Sequence, residues 1–154
     1  MQVEGAEMTD FSSLAAFAAR LSLIAMEIEP ATQSALEKSA QMIETEAKRV
    51  IGTYEYGWPQ LAPATRADRV AKGFPENEPL LRTGEMRDSI EHTVGKNEAH
   101  IGSNNEKAVW QELGTSRGTP PRSYLGDAAM RKAPEVVSLI GHDAAGVIAG
   151  RKVI

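Results

Sequence analysis

Between Gly52 and Gly84 the chain carries Pro59, Pro63, Pro75 and Pro79, with Gly57 and Gly73 among them. Each proline removes a backbone donor and fixes φ, so no long helix runs through this stretch, and no apolar period is visible in it. A short turn of helix is expected at Thr65, where Thr65 and Asp68 resemble a capping pair. A segment of this length without regular structure is unusual inside a compact domain, so it is either disordered alone or lies on something. Trp58 and Phe74 favour the second, because an aromatic gains most when it is covered. The segment is therefore expected to be an extended arm, with Trp58 and Phe74 either covered by a partner or packed back on the chain's own helices.

Helical periodicity flanks it. Phe11, Leu14, Phe17, Leu21, Ile24 and Ile28 form one face of a helix whose first amides Thr9 or Asp10 can cap. Pro30 suits the first turn of a second helix. That helix carries Leu36, Ala40, Ile43, Ala47 and Val50, with charged residues opposite, and ends at Gly52. After the arm, Ile90, His92 and Val94 alternate with polar residues, Gly95, Lys96 and Asn97 supply a turn, and Ala99 and Ile101 alternate again. This predicts a β-hairpin with a loop of three to four residues, which must lie on other elements to be stable. Residues 105–113 read as a short helix ending at Gly114, and 124–133 and 135–149 as helices on either side of Pro134. The class is α+β: long N-terminal helices packed on a small antiparallel sheet, an extended arm and C-terminal helices.

A chain of 154 residues fits one domain. Its formal charge of −4 gives no bulk attraction to nucleic acid. The charge is uneven, with 10 basic and 17 acidic residues in 1–106 but 7 basic and 4 acidic in 107–154. One end is thus suited to an acidic partner. The absence of cysteine excludes disulfides and thiolate metal sites. The apolar run 14–26 has an acidic flank, is interrupted by Arg20 and is too short to span a bilayer. A cytoplasmic protein with no membrane contact is expected.

No catalytic constellation emerges from the residues. His92, His100 and His142 are too far apart in sequence for a helical metal pair, and His92 reads as a buried or cross-strand histidine. There is no Gly-x-Ser-x-Gly and no phosphate loop. Glu44 and Glu46 sit on a solvated helix face. No enzyme activity, metal or cofactor is expected. Arg117, Arg122, Arg131 and Lys132 cluster in sequence, but Tyr124 and Trp110 are the only aromatics near them. Interface arginines fit this pattern better than a phosphate-binding patch.

The densest signal is "WQELGTSRGTPPRSYLGDA", residues 110–128. Gly114 lets a helix end in a left-handed turn. Residues 115–118 form a loop tip expected to be mobile, and Pro120 and Pro121 fix an extended backbone. Arg122 offers a planar fork, either to a carboxylate on a neighbour or to Glu112 of the same chain. Tyr124 and Leu125 supply apolar surface, either as anchors of a latch between subunits or as core.

Together with "LLRTGEMRDSI" and the hairpin, this stretch resembles the tail-completion, or minor tail component, proteins of tailed bacteriophages and prophages. That family shows a Thr-Gly, an apolar residue and a Ser-Ile, which Thr83, Gly84, Met86, Ser89 and Ile90 match. A strand pair follows, then Glu-x-Gly-Thr, matched by Glu112, Gly114 and Thr115, and a Pro-x-Arg-Pro-Phe-Leu element, matched by Pro120, Arg122, Tyr124 and Leu125. "WPQLAPAT" is similar to a Trp-x-x-Leu-x-x-x-Thr element of some members. Ser123 stands where the family has a second proline, and Gln111 where it has histidine or tyrosine. The resemblance covers about residues 30–133.

The residue patterns give a single domain over 1–154, with helices over 9–51, the arm over 52–84, hairpin, short helix and latch over 85–133 and a C-terminal helix over 134–154, and the resemblance implies that it is a head–tail joining domain. It implies a structural homo-oligomer, a six-fold ring in the virion neck or tail, assembled in the host cytoplasm. The ring would lie between a head-closure or adaptor protein and a tail terminator or tail-tube protein, with DNA only passing through its lumen. The subunit and partner interface would draw on Trp58, Phe74, Arg82, Thr83, Gly84, Glu112, Gly114, Thr115, Arg117, Pro120, Pro121, Arg122, Tyr124 and Leu125. Alternatives are a tail terminator or head-closure protein of the same particle or, from another class, a small nucleic-acid-binding module.

Overall fold

The computed structural model describes residues 13–151. The expected caps Thr9 and Asp10, and Phe11, lie outside the described residues. The chain is α+β. Its axis is one helix, α1 (Leu14–Val50), which at about 1.5 Å per residue is about 55 Å long. Ser13 caps it, its hydroxyl accepting from the Ala16 amide at 3.1 Å. The expected break at Pro30 does not occur. Pro30 is exposed, so its ring faces outward, while Ala31 and Ala35 just beyond it are buried. Packing across the proline thus outweighs the one backbone bond it removes.

The last helix, α5 (Leu125–Ile148), is also continuous, with the exposed Pro134 inside it rather than between two helices. It runs antiparallel to α1. Lys132 lies by Glu46 at one end, and Arg20 donates to the carbonyls of Val147 and Ile148 at the other. Small side chains line the seam: Ala31, Ala35 and Ser39 are buried on α1, and Ala128, Gly146 and Val147 on α5. Because α5 stops at Ile148, the cover stops too. Along α1, Ala31 and Ala35 are buried, Ile28 and Ile24 half-buried, and Leu21, Phe17 and Leu14 exposed.

The hairpin joins β1 (Ile90–Val94) and β2 (Ala99–Ser103), with His92 opposite Ile101, and packs on α1 as expected. The Gly95 amide donates to the Glu98 carbonyl, so four residues close the loop. The core gathers at the C-terminal end of α1. There Ala47, Val50 and Ile51 meet Trp58, Met86, Ile90, Ala108, Tyr124 and Ala128.

Residues 52–84 are not an extended arm. They contain α2 (Pro63–Ala71), which starts at Pro63 rather than Thr65 and has no side-chain cap. It ends in a Schellman turn, with Gly73 at φ 74° donating to Val70 and Phe74 to Arg69. The Arg69 side chain holds the segment closed. It is 8% exposed, and Nη1 donates to the carbonyls of Pro75, Glu78 and Leu81 at 3.2, 2.8 and 2.7 Å. The Gly52 amide donates to Pro79 at 2.8 Å and fixes the far end. These bonds constrain Leu80, the one non-glycine residue at positive φ (65°) among the described residues. The sequence holds no local signal for this, because the acceptors are irregular backbone up to twelve residues downstream.

His92 fastens the hairpin to α1. Its Nε2 lies 2.9 Å from a Glu37 carboxylate oxygen, and its Nδ1 hydrogen-bonds Glu44, which also accepts from Lys48. It stands opposite Ile101 across the strands, as expected, but its ring is half-buried and held by carboxylates of α1. The hydrogen bonds to Glu37 and then Glu44 raise the imidazole above its ordinary value. Burial pulls the Glu44 carboxyl upward, but the bonds from Lys48 and His92 outweigh this and hold it below the usual range. The raised histidine stabilises the fold fully below its unfolded value of about 6.5, and this is lost as pH rises through the folded value. The depressed Glu44 stabilises above its unfolded value of about 4.3, and this is lost as pH falls through the folded value. We expect the urea midpoint to fall between pH 6 and 9, and His92→Gln to flatten that slope. An equal slope in the variant would assign it to another group.

Candidate functional site

The 110–128 stretch begins on α4 (Glu106–Leu113), capped by Asn105, whose side chain accepts from the Lys107 amide. At Gly114 (φ 75°) the chain turns so tightly that a Cβ would lie 2.8 Å from the Thr119 carbonyl oxygen and 2.9 Å from the Pro121 nitrogen. Any other residue there would force the loop apart. The tip is not open backbone. The Thr115 amide donates to Thr119 at 3.0 Å, the Thr119 amide to the Thr115 hydroxyl at 3.3 Å, and Gly118 to Thr115 at 3.2 Å. Arg117 and Pro121 are exposed and Pro120 half-buried.

Arg122 is placed differently from the surface fork the sequence suggests. It is 5% exposed, and its guanidinium donates to the Pro59 carbonyl from Nε at 3.3 Å and from Nη2 at 2.9 Å, with Gln60 at 3.5 Å. Its own amide donates to Gln111 at 2.7 Å. Burial lowers its pKa. Within the subunit the fork therefore binds main-chain carbonyls and not Glu112. It braces segment 58–60 against the end of α4.

Glu112 serves the start of α5 instead. Its Oε2 accepts from the Tyr124 and Leu125 amides at 2.9 and 3.0 Å, and its Oε1 from the Gly126 amide at 2.9 Å and the Ser123 hydroxyl at 2.8 Å. Ser123 Oγ also accepts from Asp127 at 3.2 Å. A carboxylate at unpaired N-terminal amides is favoured by both hydrogen bonding and the helix dipole. The residue immediately before α5, Tyr124, cannot cap it, so the cap comes from another helix twelve positions upstream. Tyr124 is 2% exposed and belongs to the core; burial, then Glu112, pushes its phenol up to about 12. Leu125 packs on the same core. Tyr124 and Leu125 are therefore internal packing in this subunit.

Trp58 is also buried, and its Nε1 donates to the Ser123 carbonyl at 3.3 Å. It meets Tyr56 edge to face at 5.6 Å, and the Arg131 guanidinium lies 4.2 Å from the Tyr56 ring centre. The structure thus brings Trp58, Glu112, Gly114, Arg122, Tyr124 and Leu125 to one place. Thr115, Arg117, Pro120 and Pro121 lie in the adjoining loop, and Phe74, Arg82, Thr83 and Gly84 sit in a second group. The Arg82 guanidinium covers the half-buried Phe74 ring at 4.4 Å, Thr83 is exposed, and Gly84 (φ 89°) opens the short α3 (Glu85–Asp88).

Sequence reading missed the outward face of α4. Val109, Trp110 and Leu113 are 53, 50 and 72% exposed at positions that share one side of the helix. An aliphatic–aromatic–aliphatic surface was legible only as periodicity, and a core face would read alike. No family model, curated protein or solved structure matches the chain.

Removing the Arg122 brace takes a buried charged donor away from the part-buried Pro59 carbonyl. Arg122→Ala should cost about 2–3 kcal/mol, because the part-buried hydrogen bonds of a charged donor and the packing of its side chain are lost. For a domain of this size that lowers the melting temperature by roughly 5–10 °C. Glu112→Gln should cost about 1–2 kcal/mol through the weakened cap. Thermal unfolding of the purified variants measures both. An Arg122→Ala melting point equal to that of the parent would show that the brace carries no stability.

Proposed function

We propose that this chain is a structural subunit of a tailed-phage or prophage particle, a ring-forming tail-completion or neck component that joins tail to head. The observation that carries the reading is apolar surface turned outward on two helices: Leu14, Leu21, Leu23 and Met26 on α1, and Val109, Trp110 and Leu113 on α4. A subunit that works alone gains nothing from such surface, and one that assembles needs it. The resemblance of residues 80–90 and 110–125 to tail-completion proteins supplies the particular assembly, and the α+β order of long helix, hairpin, short helix and C-terminal helix accords with it. Copies of the chain would form the ring, a head-closure or adaptor protein and a tail terminator or tail-tube protein would bind its faces, and DNA would pass through the lumen. In this reading the 114–125 loop positions α4 and α5, and the α4 face makes contact.

Trp110→Ser tests the reading. An exposed side chain costs within about 0.5 kcal/mol of folding stability when replaced. The variant should therefore melt with the parent yet yield unjoined heads and tails, counted by electron microscopy of lysates, with a corresponding loss of infectious particles. Normal joining by the variant, or by particles lacking the protein, would end the proposal. Binding to DNA that weakens steeply with salt would instead favour a nucleic-acid-binding module.

A further inference from the structure

We infer that Arg20 is a clasp between two distant helix ends, so that the N-terminal end of α1 and the last turn of α5 gain or lose order together. The Arg20 side chain crosses from α1 to α5. Its Nη2 donates to the Val147 carbonyl at 2.7 Å and to the Ile148 carbonyl at 3.2 Å, 127 and 128 positions along the chain.

The end of α5 needs such a donor. The last carbonyls of a helix have no partner within it, and the helix dipole leaves them partly negative. A Schellman turn answers part of this need. The Gly150 amide donates to Val147 at 3.0 Å, the Arg151 amide to Gly146 at 2.8 Å, and the Ala149 amide to Ala145 at 2.9 Å. Among the described residues, Arg20 is the donor that reaches the remaining carbonyl, that of Ile148. The last turn of α5 contains no basic residue of its own, so the cation that suits this end comes from another helix. Gly150 makes room for it. It stands at φ 73°, and a Cβ there would lie 3.1 Å from Arg20 Nη2. The glycine that ends α5 is thus also the seat of the guanidinium.

The need is mutual. Ahead of Ala31, Leu14, Leu21, Leu23 and Met26 of α1 are 82, 50, 49 and 73% exposed. Where the two helices part, Arg20, Met26, Pro30, Val147 and Gly150 line a cleft instead of a packed seam. With little apolar packing there, the hydrogen bonds of a charged donor carry a larger share of what holds the ends together. Such coupling is reciprocal by linkage: whatever orders one end favours order at the other by the same factor. A partner seated on either end therefore tightens both. The clasp belongs to the free subunit, and it stands or falls apart from the assembly reading.

Amide hydrogen exchange of the full-length chain tests it. Arg20→Ala should speed exchange on the order of tenfold at both 18–29 and 146–151, the size of one lost hydrogen bond of a charged donor. Two further variants act at one end and are read at the other. Gly150→Val puts a branched side chain in the seat of the guanidinium, and exchange should quicken at 18–29. Ala25→Pro replaces an exposed residue and breaks the helix between Arg20 and the body of α1, and exchange should quicken at 146–151. An unchanged far end in either variant would overturn the inference. Equal acceleration at 36–50 and in the hairpin would mean that the whole fold had loosened, and would overturn it as well.

Discussion

The carboxylate of Glu112 at the first turn of α5 is the interaction on which the rest of the structure depends. It gathers three backbone amides and a hydroxyl at one point. That point fixes where α5 begins and how it leaves the loop. The direction of α5 then sets which of its faces meets α1, and so the whole helical seam. Arg122 and Arg69 work in the same way with opposite charge, each gathering carbonyls of irregular backbone. A buried charge is costly unless its hydrogen-bonding capacity is used, and main-chain groups of non-helical segments are costly unless they are paired. Here each requirement meets the other, and loops acquire the definition that periodic structure would otherwise supply.

This division of labour explains what could be read from the chain. The α1 and α5 periodicities, the hairpin with its Gly95–Asn97 turn and the stop at Gly114 are short-range signals, and each marks its element. The continuity of α1 through Pro30 and of α5 through Pro134 was not legible. A proline argues locally for a break, and only the burial of Ala31 and Ala35 beyond Pro30 shows what outweighs it. Segment 52–84 read as an extended arm because its prolines are visible in sequence while Arg69 stands in an ordinary polar helix.

The candidate site was legible as a place but not in its roles. The residues from Trp58 to Leu125 that the sequence singled out do converge in part, yet Arg122 and Tyr124 face inward. Arginine followed by an aromatic has the same composition whether it grips a neighbour or its own backbone. What separates the two is whether Pro59 and Gln60 lie within reach, a fact of tertiary structure. The α4 face was overlooked for the complementary reason, since the same pattern of Val109, Trp110 and Leu113 serves a core or an exposed surface.

Pro30 stands close to where α5 stops covering α1. Its missing N–H leaves a gap in the ladder of backbone bonds at the border between a helix end that reaches α5 through the Arg20 side chain and one locked into the core. Helix melting spreads from the end inward because each residue depends on its neighbour's bonds. At this border the dependence is weakest, so fraying that starts at Leu14 has a natural stopping place before it reaches Ala31. The first turns of α1 are thereby able to lose and regain their shape on their own timescale while the seam below stays intact. One uninterrupted helix thus holds two cooperative units, with the proline as the joint between them.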